Sequence, residues 1–199
     1  MASVLKTVYT SHTGMSKNIT RKRRILPWIV AFLTLVLVII SKTAYSAGET
    51  DFRQGMTHYK NRQFDQALPC LEKAANAGNT DAQAMMGVLN FRGNGVKQND
   101  SEAARWFEKA ARAGETNAQN YLATAYMKGQ GTTPDTAKAI YWYTRAAKAG
   151  DANAQKILGA LYLNGHDGVT KDTAKARQWL RKAADQGDTD AEQLLRQIP

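Results

Sequence analysis

Three consecutive stretches of this sequence are copies of one pattern. AQAMMGVLNFRGNGVKQNDSEAARWFEKAARAGETN (82–117) and AQNYLATAYMKGQGTTPDTAKAIYWYTRAAKAGDAN (118–153) are each 36 residues long. The third, AQKILGALYLNGHDGVTKDTAKARQWLRKAADQGDTD (154–190), is one residue longer, around Asp167. Ala82, Ala118, Ala154 and Ala191 stand at the openings, Trp106, Trp142 and Trp179 in the second halves, and Gly78, Gly114, Gly150 and Gly187 at the ends. A block this short buries its apolar face only by stacking on its neighbours, so the chain is confined to repeat architectures.

Each block reads as two antiparallel helices. Asp81, Asn117, Asn153 and Asp190 precede the opening alanines and are expected to cap the first helices by accepting from free amides. Gly93/Gly95 and Gly129/Gly131 then end the first helix, with Gly165/Gly168 stretched by the insertion, because glycine takes the positive φ of a helix end without penalty. The second helix is expected to start near Asp100, Thr133-Pro134 or Asp172, with Pro134 in a first turn. Ala139, Trp142, Tyr143, Ala146 and Ala147 fall at i, i+3, i+4, i+7 and i+8, one apolar helical face. The three tryptophans read as core on that spacing, not as a ligand cage.

The pattern A-x-x-x-[LM]-[GA]-x-x-[YN]-x-x-G-x-G…D-x-x-x-A-x-x-W-x-x-[KR]-A-A-x-x-G resembles the Sel1-like repeat, a relative of the tetratricopeptide repeat, over residues 82–190. The segment 49–81 departs from it. Its loop is shorter and lacks Gly-x-Gly, Cys70 replaces the tryptophan, and Gly55, Phe64, Ala67, Leu71 and Ala74 are closer to an ordinary tetratricopeptide repeat. Residues 191–199 supply a capping helix that covers the last apolar face. The resemblance implies an all-α fold, a right-handed α/α superhelix whose first helices line a concave groove for a partner protein or peptide.

Carrying the groove positions over by register from Gly55, Gly87, Ala123 and Gly159 selects Phe52, Tyr59 and Lys60; Val88, Phe91 and Arg92; Asn120, Thr124, Met127 and Lys128; and Lys156, Leu163 and Asn164. Lys60, Arg92 and Lys128 occupy one equivalent position and form a basic strip. Tyr59, Phe91, Met127 and Leu163 form an apolar strip beside it. A matching ligand is an extended or helical segment with apolar anchors and acidic groups.

The formal charge of +10 is not a nucleic-acid footprint, because residues 1–48 hold seven basic and no acidic side chains. The remainder holds 20 basic against 17 acidic residues, without the one-sided cluster a phosphate backbone requires. KNITRKRR (17–24) precedes an apolar run, Ile25 to Ile40, followed by small residues around Ala44-Tyr45-Ser46-Ala47. These are the parts of a secretory signal peptide. The 16-residue run also approaches the ~20 needed to span a bilayer. Residues 1–48 are therefore expected to be a Sec-type signal, cleaved near Ser46 or Ala47, or an inner-membrane anchor. The repeats then lie in the periplasm, outside the cell, or on the outer face of that membrane, and residues 25–40 are the only membrane contact if uncleaved. Met15 offers a second start with a tidier basic lead.

No catalytic, metal or cofactor site is expected. Residues 48–199 contain one serine (Ser101), one cysteine (Cys70) and two histidines (His58, His166); Ser101 reads as a helix-start residue, His166 as a solvated loop residue and His58 as a surface position, and a single cysteine excludes a cysteine metal site. Cys70 reads as a buried core thiol. The Gly-x-Gly loops follow no strand and lack the Lys-Ser/Thr of a phosphate cradle. Some cysteine-rich exported Sel1-like proteins have been linked to antibiotic binding or hydrolysis, but those carry a cysteine pair in each repeat. The expected function is an interaction module or adaptor of the cell envelope. An assembly factor acting through self-association or the convex face is the alternative, and a hydrolase the remote one.

Overall fold

The computed structural model describes residues 34–36, 48–166 and 168–198. The signal or anchor assignment, including the cleavage region and Met15, falls outside these apart from a helical turn at 34–36. Among the described residues no helix is long and apolar enough to cross a membrane. The chain divides into Met1–Ser46 and Ala47–Pro199, and the second unit closes its own core.

In that unit α1 (48–60) pairs with α2 (Phe64–Asn76), α3 (Thr80–Arg92) with α4 (Asp100–Arg112), α5 (Thr116–Lys128) with α6 (Thr136–Lys148), and α7 (Ala152–Asn164) with α8 (Thr173–Ala184). A final short helix, α9 (Thr189–Arg196), covers the end. The last three hairpins are pinned by the same backbone bond: Asn99 N–H to Asn90 O (2.9 Å), Asp135 to Tyr126 (2.9 Å) and Asp172 to Tyr162 (2.8 Å). The third keeps this bond despite its extra residue, because the loop absorbs it in a small bridge between His166 and Val169.

The first helices start two residues earlier than expected. Asn79, Asp151 and Asp188 accept from the amides of Ala82 (2.8 Å), Ala154 (2.6 Å) and Ala191 (3.0 Å), and Glu115 accepts from Ala118. A cap reaches the amide three residues ahead. The amide that needs it is that of the opening alanine, so Asp81, Asn117, Asn153 and Asp190 lie inside the first turn instead. Asn99, Asp135 and Asp172 cap the second helices. Pro134 stands before its cap and not in the first turn, since α6 begins at Thr136.

Leu71, Leu89, Leu122, Leu158 and Leu180 are the largest fully buried side chains and run the length of the stack. Trp106 packs into the cluster formed by α2 and α3, one repeat back, and Trp142 lies in the central cluster. Trp179 is only half-buried against that cluster. Cys70 is half-buried too, not the core thiol expected. Its position is the one from which Trp106 reaches back, and no described repeat precedes α2 for it to reach.

Two further contacts join the repeats. Gln83, Gln119 and Gln155 each donate from the side-chain amide to the carbonyl of Ala75, Ala111 or Ala147 in the last turn of the preceding helix, at 3.2, 3.2 and 3.0 Å. The second loop glycine meets the start of the previous second helix. A Cβ on Gly131 would lie 2.0 Å from the Asp100 carbonyl oxygen, and one on Gly95 2.9 Å from Phe64 Cβ. At Gly168 the nearest atom would be 3.9 Å away, so the lengthened loop sits more loosely.

Candidate functional site

First helices touch one another directly, α3 with α5 and α7 with α9, which makes them the inner layer of the stack. Their orientation is set where each crosses its partner. A Cβ on Gly55, Gly87 or Gly159 would be 2.7, 2.5 or 2.4 Å from Leu71, Phe107 or Leu180. Those glycines turn inward. At the fourth crossing Ala123 is wholly buried, and Tyr143 of α6 donates to or accepts from Thr124 at 2.8 Å.

On the face that results, Lys60, Arg92 and Lys128 are exposed, and among the described residues none of them meets a carboxylate. Phe52, Tyr59, Val88, Phe91 and Met127 are half-buried with their outer surfaces open. Tyr59 leans on Phe64 with ring centroids 5.6 Å apart. Asn164 is exposed. Leu163 is not part of the strip: it is 9% exposed and joins Leu180, Ala191 and Ile198 in the terminal core, because α9 folds over it.

Lys156 is likewise withdrawn from free duty. Its ammonium lies 3.0 Å from Asp188 and 2.9 Å from Asp190, tying α7 to α9. The hydrogen bonds it donates to Asp190 and Asp188 hold it above the usual lysine range. Burial pushes the Asp188 carboxyl up, but the Ala191 amide and Lys156 together outweigh this and hold it below the usual range. Its contribution to stability is therefore complete above the unfolded value, near 4, and is lost as pH falls through the lower folded value. Urea midpoints measured across the acid range are expected to fall, with a shallower slope in Asp188→Asn; an unchanged slope removes Asp188 from the ion pair.

At the centre of the face lies a depression of about 300 Å³ lined by Asn117, Asn120, Tyr121, Thr124, Asp151 and Asn153. Asn120 donates to Asp151 at 2.8 Å, and its own side-chain oxygen is buried without a partner. Across Tyr121 a narrow slot of about 30 Å³ is lined by Phe91, Phe107, Tyr121 and Thr124, among others. Tyr121 is 38% exposed and stacks on Phe107 at 4.8 Å, with Phe91 6.5 Å away. It was not among the residues selected by register. Its position holds Met85 and Ile157 in the adjoining repeats, and an aromatic ring facing outward at that level is the signal that marks it. The groove centre thus combines an aromatic ledge, amide groups and a capping carboxylate.

The groups considered for catalysis do not converge. His58 Nδ1 lies 3.0 Å from the Gln63 side-chain oxygen, and His166 is an exposed loop residue. Among the described residues no three His, Cys, Asp or Glu side chains are placed to hold a metal ion.

The Sel1 repeat family model matches residues 55–79, 80–115, 116–151 and 152–188, so the segment without the tryptophan is included. Among solved structures, a Sel1 repeat protein from Oxalobacter formigenes is 35% identical, with a TM-score of 0.67 over 70% of this chain and 57% of that one. A protective antigen of uropathogenic Escherichia coli displaying an SLR fold is 31% identical, with a TM-score of 0.70 over 78% of this chain and 34% of that one. The chain therefore spans about a third to little more than half of these two relatives. Helicobacter pylori cysteine rich protein B, at 20% identity and TM-score 0.51 over 59% of this chain and 90% of that one, shares the fold. No curated protein matches the sequence.

Proposed function

This chain belongs to the Sel1 repeat family, right-handed superhelices of helix pairs that generally bind protein partners, and from that premise we propose that its first-helix face holds a segment of a partner protein. The observation that carries this reading is the row Lys60, Arg92 and Lys128, three exposed cations at one register that meet no carboxylate among the described residues, beside the half-buried Tyr59, Phe91 and Met127. Cations held in a row on rigid helices select acidic groups spaced along a segment. The aromatic ledge of Phe91 and Tyr121 receives apolar side chains. The partner is a protein of the cell envelope, a location that rests on the leader sequence KNITRKRR and the run 25–40.

The test is capture from envelope extract on residues 48–199, with an Arg92→Glu/Lys128→Glu bait in parallel. The expected result is a partner held by the first and lost by the second, with affinity that falls as salt rises. A partner indifferent to the double reversal overturns the groove reading. A mass that grows with concentration, together with no capture, favours self-assembly instead.

A further inference from the structure

Charge is distributed unevenly along the second-helix layer, the face opposite the groove. The second helices α2 and α4 together carry four basic and five acidic side chains. In α4 the charges answer one another: Arg112 lies 2.6 Å from Glu108, and Arg105 3.7 Å from Glu102. In α6 and α8 the helices hold seven basic residues and no acidic one. The caps Asp135 and Asp172 are taken up by Lys138 and Lys175 at 3.2 and 3.1 Å, and Asp185, which follows α8, is the one exposed carboxylate at the end of that helix. Lys148 and Arg181 are exposed and meet no carboxylate among the described residues. The exposed Arg145 and Lys182 place their charged ends over the Trp142 and Trp179 rings, 5.5 and 4.8 Å from the centroids. Tyr141 stands among them at 54% exposure, its hydroxyl accepting from Arg145 at 3.2 Å.

We propose that the α6–α8 ridge docks on a bilayer surface rich in anionic phospholipid. Three features favour this occupant over an acidic protein. The ridge is an outer helix layer, and a depression on α8, lined by Arg177, Arg181, Lys182 and Asp185 among others, is open, suited to headgroups and not to a shaped anchor. An exposed tyrosine beside arginine is the combination that sits at the headgroup level, ring inward and cation at the phosphates. The run 25–40 is the part of a signal or anchor that brings the repeats to a membrane, and where it stays in place the repeat unit is tethered near lipid. Docking through the second helices leaves the groove open to solution.

The test uses the Ala47–Pro199 unit, which closes its own core, in co-sedimentation with phosphatidylcholine vesicles with and without phosphatidylglycerol. Binding is expected only with phosphatidylglycerol, to weaken as salt rises, and to drop at least about tenfold when Arg145, Lys148, Arg181 and Lys182 are all changed to Gln. The Lys148→Gln/Arg181→Gln variant touches neither tryptophan, so it keeps the test valid if the fourfold change unfolds the protein; it is expected to show an intermediate loss. Lys60→Gln/Arg92→Gln/Lys128→Gln is expected to bind as the parent does. Binding independent of phosphatidylglycerol, no binding to either vesicle, or equal loss in the groove variant overturns the proposal. So does displacement by a polyglutamate peptide at matched charge, which assigns the ridge to an acidic protein.

Discussion

Trp142→Ala is expected to lose about 3–5 kcal/mol, the cost of truncating a large core side chain. The ring is 7% exposed and belongs to the central cluster that joins α4 through α7. Removing it empties the space between two repeats and not the interior of one. Against a total stability of roughly 5–15 kcal/mol, that is a large fraction. With about 2–4 °C lost per kcal/mol in a domain of this size, the melting temperature followed by circular dichroism is expected to fall by roughly 10 °C or more. Trp179→Ala supplies the comparison: its ring is half-buried, so a distinctly smaller drop is expected. Equal effects at the two sites contradict the burial difference, and an unchanged melting temperature takes Trp142 out of the core.

Gly131→Ala is expected to be nearly as damaging for a different reason. Its φ of 71° is one an L-residue adopts at a cost, and the added methyl would meet backbone atoms, the Asp100 carbonyl at 2.0 Å and the Ser101 nitrogen at 2.7 Å. Backbone cannot swing aside as a side-chain tip does, so the loop of one repeat must part from the helix start of the one before. Backbone strain and overpacking together suggest roughly 2–5 kcal/mol. Gly168→Ala carries the same conformational cost at φ 76° but meets nothing closer than 3.9 Å. It is expected to lose only about 1–3 kcal/mol in equilibrium unfolding. If both substitutions cost the same, the tight approach at Gly131 is not present in solution.

The period of the sequence was enough to read the helix pairs, because one spacing of alanine, glycine and tryptophan recurs three times and only stacking satisfies it. The start of the first helix was misjudged by two residues. Aspartate and asparagine stand both at the true caps and inside the first turn, and only the geometry of the alanine amide separates Asn79 from Asp81. End effects were illegible for a physical reason. Leu163 and Cys70 share register with residues elsewhere in the array, yet their burial depends on whether a neighbour lies beyond, which no single repeat encodes. The groove register could be read from Gly55, Gly87, Ala123 and Gly159. The pairing of Lys156 could not, since its carboxylates arrive from α9 through tertiary folding.

The glutamine contacts between repeats have a bearing on how such an array can change in length. Gln119 reaches Ala111 and Gln155 reaches Ala147, each across the same interval of eight residues. Excising 116–151 would bring Gln155 to the place Gln119 vacates, with the Ala111 carbonyl still waiting for an amide donor. Because these two junctions are made from the same atoms in the same order, a whole unit between them can be lost or duplicated without inventing a new junction, and a gene encoding such a chain can lengthen or shorten its binding surface in single steps.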